Sequence, residues 1–190
     1  MAKRMSADEY LHKALVSAEL VEFQRSVLDA TKEQAFVVGI GRRWVLFEML
    51  DSSLRLDGYQ AVRRVDIVRV RRDPRSFHRR ALAVSGQHRH VPVGIDLRDI
   101  RSLLRSASKH YRIVAIHTEY TNPRVCYVGC ARPGKKRLHL DEISTNAKWI
   151  AKPEHYQYWS ISRIDFDGQY ERALLAVVDS ETKPKKSDKK

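Results

Sequence analysis

The chain has 190 residues and a formal net charge of +13, with 43% hydrophobic and 31% charged residues. This composition predicts one or two small, water-soluble domains with packed cores. No run of about 18 apolar residues is present, so no transmembrane helix is expected. The N-terminal sequence MAKRMSADEY also lacks the apolar centre of a signal peptide. We therefore predict a cytoplasmic protein with no membrane partner.

The positive charge is concentrated in the first half of the chain. Residues 34–110 carry 16 basic and 7 acidic side chains, whereas residues 1–33 carry 5 basic and 6 acidic ones. Most of the excess is arginine, whose planar guanidinium binds phosphate through two parallel hydrogen bonds. An anionic partner fits this charge, and so does a soluble basic protein that has no such partner.

The first predicted element is a long helix over residues 6–32. Ser6 and Glu9 form a capping-box pattern at its start. No Gly or Pro interrupts the segment, and apolar residues recur at helical spacing as far as Val27. The apolar stripe is wide, which indicates a helix that is buried over much of its surface. We assign residues 1–33 to this N-terminal helix.

Short segments rich in β-branched and aromatic residues follow over residues 34–87. They are AFVVGIG, WVLFEML and QAVRRVDIVRV, separated by turn sequences at 41–43, 51–53 and 57–58. They predict a small, strongly bent antiparallel sheet. Residues 88–110 are then predicted to form a connector and a linker helix over 97–109. Asp96 is the expected N-cap of that helix, with Asp99 in its first turn.

A second β-rich stretch covers residues 111–178, with strands predicted in RIVAIHTEY, RVCYVGCA, KRLHLDEIS and YQYWSISRIDF. Cys126 and Cys130 are four residues apart on one of these strands, too far along it to form a disulfide easily. We predict two buried thiols in a reducing compartment. Residues 179–190, DSETKPKKSDKK, contain no apolar side chain and predict a disordered basic tail.

Two parts of the chain repeat one pattern. Residues 67–70 (IVRV) match 161–164 (ISRI), and RALAV at 80–84 matches RAL and AV between 172 and 177. In each copy a strand leads through an Asp turn into a short apolar segment. We therefore predict a mainly β, α+β chain of two tandem small antiparallel barrels, at 34–87 and 111–178, joined through the linker helix.

A helix followed by a bent sheet, as in residues 6–32 and 35–72, resembles the Sm-like barrels of the LSm/Hfq type, which are SH3-like barrels. The second half, with VAIHTEY, VCYVGC and WSISRIDFDGQYERAL, also resembles a group of uncharacterised bacterial proteins. The resemblance implies a tandem Sm-like barrel and RNA binding. The Sm signature Asp-x-x-hydrophobic-Asn is absent from FEMLD at 47–51. Arg69-Val70 and Arg163-Ile164 stand where the family has an Arg-Gly or Lys-His pair, so no pocket residue is carried over.

Candidate chemical groups are present, but their spacing matches no known site. His88 and His90, together with Cys126 and Cys130, are zinc-ligand types without a recognised ligand framework. The DFDG sequence at 165–168 lacks the further acidic ligands of a calcium loop. No phosphate-binding, dinucleotide-binding or nucleophile-elbow motif occurs. We predict no enzyme activity, no catalytic residue, no metal and no cofactor.

Basic residues interleaved with aromatic ones favour binding of nucleic acid, with RNA or another single strand ahead of a specific duplex. Trp44 follows two arginines, but the strand WVLFEML around it indicates a core position. A protein-interaction scaffold, self-associating through the N-terminal helix or barrel edges, is the alternative. The predicted contacts to phosphates are Arg42, Arg43, Arg63, Arg64, Arg69, Arg71, Arg72, Lys135, Lys136 and Arg137.

Overall fold

A computed structural model describes residues 5–26 and 31–182, which form an α+β structure. The helices are α1 (Ala7–Ser17), α2 (Ser76–Val84), α3 (Ile100–His110) and α4 (Gln169–Thr182), with two 3₁₀ turns, η1 (Arg64–Asp66) and η2 (Tyr158–Ser160). The strands are β1 (Leu20–Arg25), β2 (Lys32–Ile40), β3 (Trp44–Leu50), β4 (Leu56–Arg63), β5 (Ile67–Arg72), β6 (Val114–His117), β7 (Cys126–Pro133), β8 (Arg137–Ile143), β9 (Glu154–Gln157) and β10 (Arg163–Phe166). Within these two ranges, no helix has the length and apolar character needed to cross a membrane.

All ten strands belong to one open antiparallel sheet, in the order β5-β1-β2-β3-β4-β10-β6-β7-β8-β9. In each half of the chain the fifth strand returns to pair with the first, as β5 does with β1 and β10 with β6. The halves meet where β4 pairs with β10, from Tyr59 opposite Phe166 to Val62 opposite Arg163. Because this pairing makes the sheet continuous, two separate barrels are not seen.

The order of elements repeats in the two halves. Each half has a helix, four strands, a 3₁₀ turn, a fifth strand and a second helix. IVRV follows η1 directly and lies in β5, whereas ISRI follows η2 directly and runs into β10. The matched RAL segments lie in α2 and α4, so these parts of the repeat are helical and not extended. The short sequence repeat therefore accompanies a repeat of the whole element order.

The predicted N-terminal helix is correct at its start and wrong in its length. Ser6 forms the expected capping box with Glu9. The helix then ends at Ser17, where Ala18 takes a left-handed conformation, and Leu20 begins β1. β1 pairs with β5 along one edge and with β2 along the other, and its successive residues 20–23 are all buried, so both of its faces are covered. That double burial explains the wide apolar stripe that suggested one continuous helix. The rest of the predicted helix includes residues 27–30, outside the described residues.

Two other predicted boundaries also differ from those in the structure. The linker helix begins at Ile100, with Asp99 as its N-cap accepting a hydrogen bond from the amide of Ser102 at 2.8 Å. Asp96, the predicted cap, instead pairs with the Arg98 guanidinium. At the other end, residues 179–182 belong to α4 and are not part of a disordered tail, while residues 183–190 are outside the described residues.

Two large apolar cores hold the sheet. The first lies under α1, where Leu11 packs with Phe23 and Phe47, whose rings stack with centroids 4.1 Å apart. The second joins the halves, since it contains Leu46 and Ala61 of the first half together with buried side chains of the second. Those side chains include Leu103, Leu104, Ile116, Ile164 and Phe166. The two halves therefore share one core as well as one sheet.

A buried ion pair also crosses between the halves. The guanidinium of Arg25 donates two hydrogen bonds to the Glu119 carboxylate, at 2.8 and 2.9 Å, and the Ser162 hydroxyl donates a third at 2.7 Å. Arg25 and Glu119 are each 8% exposed. Burial by itself would raise the pKa of Glu119, but the hydrogen bonds from Arg25 and Ser162 hold it below its ordinary value.

Candidate functional site

The ten predicted phosphate contacts lie in three places. Arg42, Arg43, Arg63 and Arg64 line one cleft. Arg69, Arg71 and Arg72 lie on β5 at one end of the sheet, and none of them lines this cleft. The third group is exposed and comprises Lys135 and Lys136, in the turn between β7 and β8, and Arg137, the first residue of β8. The structure therefore brings four of the ten together.

The cleft has a volume of about 730 Å³ and is built by both halves of the chain. The β2–β3 turn and the β4–η1 junction supply its basic side from the first half. The start of α3 and the η2 turn supply the opposite side from the second half. Its lining is Arg42, Arg43, Trp44, Arg63, Arg64, Val65, Asp99, Ile100, Tyr158, Trp159 and Ile161. A volume of this size accommodates a small organic ligand or part of a polymer.

Two of the four cleft arginines are held by acidic partners. Arg63 donates to both carboxylate oxygens of Asp66, at 2.9 and 3.2 Å, and lies 4.5 Å above the ring of Tyr120. Arg64 donates to Asp8 at 2.6 Å and to the carbonyl of Gly41 at 3.2 Å. Burial opposes the charge of Arg63, but its bonds to Asp66 raise its pKa overall. These two side chains stabilise the cleft wall.

Arg42 and Arg43 have no such partners. Both side chains are exposed, and in the part of the chain that the structure describes no carboxylate lies within ion-pair distance of either. They are held in the β2–β3 turn, where the amide of Gly41 donates to the carbonyl of Trp44 at 2.8 Å. The two guanidinium groups are therefore the free hydrogen-bond donors of the cleft.

The aromatic residues of the cleft differ in exposure. Trp44 is 4% exposed and belongs to the shared core, so its predicted core position is confirmed. Trp159 is 70% exposed, which is unusual for an indole on a folded surface. Tyr158 is half-buried, and its hydroxyl donates to the carbonyl of Gly134 at 2.9 Å. Trp159 is therefore the aromatic ring most available to a ligand.

Sequence reasoning missed Tyr158 and Trp159. Both fall in YQYWSISRIDF, one of the β-rich segments in which the sequence predicts a strand. The 3₁₀ turn η2 interrupts that strand and turns Trp159 outward. A usable signal was present, because η2 occupies the place in the second half that η1, with the cleft residues Arg64 and Val65, occupies in the first.

The six predicted phosphate contacts outside the cleft differ in whether they have an acidic partner. Arg71 pairs with the buried Glu22, and Arg72 pairs with Glu19 at 2.9 Å. Arg69 is exposed, and no acidic partner lies near it among the described residues. Lys135, Lys136 and Arg137 are likewise exposed. Among the predicted contacts outside the cleft, Arg69 and residues 135–137 therefore resemble Arg42 and Arg43, because none of them has an acidic partner among the described residues.

The cysteine and histidine residues do not assemble a ligand set. Across residues 5–26 and 31–182 no cluster of three or more His, Cys, Asp or Glu side chains is arranged to hold a metal ion. Cys126, the first residue of β7, is exposed and Cys130 is half-buried, so the prediction of two buried thiols is wrong. Burial raises the pKa of both thiols, which disfavours the reactive thiolate. His90 accepts or donates a 2.6 Å hydrogen bond with Tyr59.

No protein-family model, curated protein or solved structure significantly matches this chain.

Proposed function

We propose that this protein is a non-enzymatic nucleic-acid-binding module that holds a single strand, RNA in the first place, in the cleft between its halves. We further propose that each half is an Sm-like, SH3-like barrel unit. Each half has a helix followed by five antiparallel strands, and its fifth strand returns to pair with its first, which supports this view. The repeated element order supports the tandem arrangement.

One observation carries the functional proposal: two unpaired guanidinium groups and an exposed indole line the same cleft. Arg42 and Arg43 offer bidentate donors to phosphate oxygens. Trp159 offers a flat apolar surface on which a base can stack. An unpaired base exposes its faces, whereas a base inside a duplex is already stacked on its neighbours. The combination therefore favours a single strand over a duplex.

The test is fluorescence anisotropy with a labelled 12-nucleotide RNA and the same sequence as a duplex, at two salt concentrations. We expect the wild-type chain to bind the single strand more tightly. Trp159→Ala should weaken binding about tenfold, within the 1–3 kcal/mol typical of stacking on one base. The double variant Arg42→Ala/Arg43→Ala should weaken binding further and lower the salt slope by about 1.4, since each phosphate contact on a single strand contributes about 0.7.

A matched control removes the same charge elsewhere. Arg79 and Arg80 are exposed on α2 and do not line the cleft. Arg79→Ala/Arg80→Ala therefore lowers the net charge equally while leaving the cleft intact. If this control weakens binding as much as Arg42→Ala/Arg43→Ala does, the affinity comes from net charge alone and the cleft proposal is wrong.

Self-association is a second candidate function, and the free edges of the sheet favour it. Among the strands of residues 5–26 and 31–182, β5 and β9 lie at the ends of the sheet and each pair with one neighbour. Val68, on β5, is 55% exposed. An exposed apolar edge strand is a template for pairing with another chain. The N-terminal helix is a weaker route, because its Leu11 and Ala14 already face the core.

This candidate predicts oligomers whose mass rises with protein concentration and persists at high salt, measured by light scattering after size-exclusion chromatography. Val68→Lys should return the chain to a monomer, because a charge on an edge strand opposes pairing. Val84→Lys is the control, since Val84 is 90% exposed and lies on α2 and not on an edge strand. A monomer of the wild-type chain at every concentration would exclude edge pairing.

A further inference from the structure

The hydroxyl of Tyr158 connects the cleft to the β7–β8 turn. Tyr158 lines the cleft, and its hydroxyl donates to the carbonyl of Gly134 at 2.9 Å. Gly134 in turn donates its amide to the carbonyl of Arg137 at 3.0 Å, closing the turn that contains Lys135 and Lys136. Both lysines are exposed, and neither has an acidic partner among the residues that the structure describes. The basic turn therefore directly adjoins the cleft wall.

The exposed side of α3 supplies further positive charge beside Tyr158. Ile100, at the start of the helix, lines the cleft, and Arg101 follows it directly. Arg105 lies one turn further along and therefore on the same side of the helix. No carboxylate within the described ranges pairs with Arg101 or Arg105.

The electrostatics of Tyr158 agree with this placement. Burial raises the pKa of its hydroxyl, and the positive charges of Arg101 and Arg105 oppose that rise. Arg105 is exposed, whereas Arg101 is half-buried, with its Nε enclosed and without a hydrogen-bond partner.

We propose that the cleft is one end of a longer basic track, which continues past Tyr158 along Arg101 and Arg105 to Lys135 and Lys136. This inference rests on the proposed function and adds the class of ligand. The ligand is a strand of several nucleotides and not a single nucleotide. A mononucleotide in the cleft needs only Arg42, Arg43 and Trp159. The additional unpaired cations match the phosphates of a chain that continues beyond the cleft.

The expected size of the site follows from comparison with other small folds. Small β-barrel domains that bind single strands cover roughly 4–16 nucleotides, combining stacked bases with a cationic groove along the backbone. We therefore expect affinity for this protein to rise with strand length up to about that size and then to level off.

A length series tests the track directly. RNAs of 1, 2, 4, 8 and 12 nucleotides compete with the labelled 12-nucleotide strand for the full-length chain. We expect the 8-nucleotide strand to compete at least about tenfold better than the mononucleotide. Arg101→Gln/Arg105→Gln should lower the affinity for the 8- and 12-nucleotide strands about tenfold and leave the affinity for the mononucleotide unchanged. Lys135→Ala/Lys136→Ala should act in the same way, and thermal melting verifies that each variant is folded.

The outcomes separate this inference from the function on which it rests. If the mononucleotide competes as well as the longest strand, and Arg42→Ala/Arg43→Ala abolishes both, the cleft binds single nucleotides and the track is wrong. If Arg101→Gln/Arg105→Gln lowers the affinity for RNA no more than the control Arg79→Ala/Arg80→Ala does, at any strand length, the track is also wrong. If the wild-type chain binds no RNA of any length at low salt, the proposed function fails as well.

Discussion

Replacing Gly58 by alanine should lower the free energy of unfolding by about 2–5 kcal/mol. Gly58 has a φ of +66°, a conformation that costs an L-residue about 1–2 kcal/mol. A Cβ at this position would also lie 2.4 Å from the amide nitrogen of Gly168 and 2.5 Å from the carbonyl carbon of Asp167. Both of these are backbone atoms of the β10–α4 turn, so relieving the overlap requires that turn to move, at a further cost of about 1–3 kcal/mol.

Gly86→Ala is the matched control for this prediction. Gly86 has nearly the same φ, +68°, and no atom beyond Gly86 itself and its two chain neighbours lies within 4 Å of its Cβ position. Gly86→Ala should therefore lower the free energy of unfolding only by the conformational cost of a positive φ, about 1–2 kcal/mol. Urea unfolding of both variants measures the difference. Equal losses of stability would mean that the turn at 167–168 does not pack against β4 as described.

Glu119→Ala should lower the free energy of unfolding by about 3–5 kcal/mol. This change leaves the Arg25 guanidinium buried without its bidentate partner, and breaking a buried pair from one side is expensive for that reason. Arg112→Ala provides the comparison, since Arg112 and Asp179 form an exposed pair whose loss should cost less than about 1 kcal/mol. Similar costs for the two variants would contradict the buried bridge between the halves.

The same carboxylate predicts a pH dependence. Because the pKa of Glu119 is lower in the folded chain than in the unfolded one, its ionised form stabilises the fold above the unfolded pKa. That stabilisation is lost as pH falls below about 4.5, the ordinary value, and through the folded pKa. Glu119→Gln cannot titrate there, so its unfolding free energy should fall less steeply on acidification than that of the wild type. Parallel pH profiles would show that Glu119 does not titrate differently on folding.

Local patterns in the sequence predicted much of the secondary structure. The β-rich segments of both halves contain strands, and the capping box of Ser6 and Glu9 forms as expected. The error over residues 20–25 has a physical cause. LVEFQR does alternate apolar and polar side chains over residues 21–24, but Leu20 and Phe23 also continue the helical spacing that runs from Val16. Tertiary burial, and not local propensity, decides this segment.

The candidate site was less predictable because it depends on how the halves meet. Arg42 and Arg43 were predicted from the turn that carries them. The partners that occupy Arg63 and Arg64 are Asp66, in the adjacent 3₁₀ turn, and Asp8, which is far away in sequence. Trp159 enters the cleft only through the pairing of β4 with β10 and the turn of η2. The sequence repeat indicated two related halves, but contained no sign that they share one sheet.

Photochemical crosslinking tests the central claim most directly. The full-length chain would be irradiated with a uridine-rich 12-nucleotide RNA, and the adducts mapped by mass spectrometry. The proposed function predicts adducts at Tyr158 or Trp159 and in the peptide that contains Arg42 and Arg43, all removed by excess unlabelled RNA. Adducts confined to β5 would contradict it, because no residue of β5 lines the cleft.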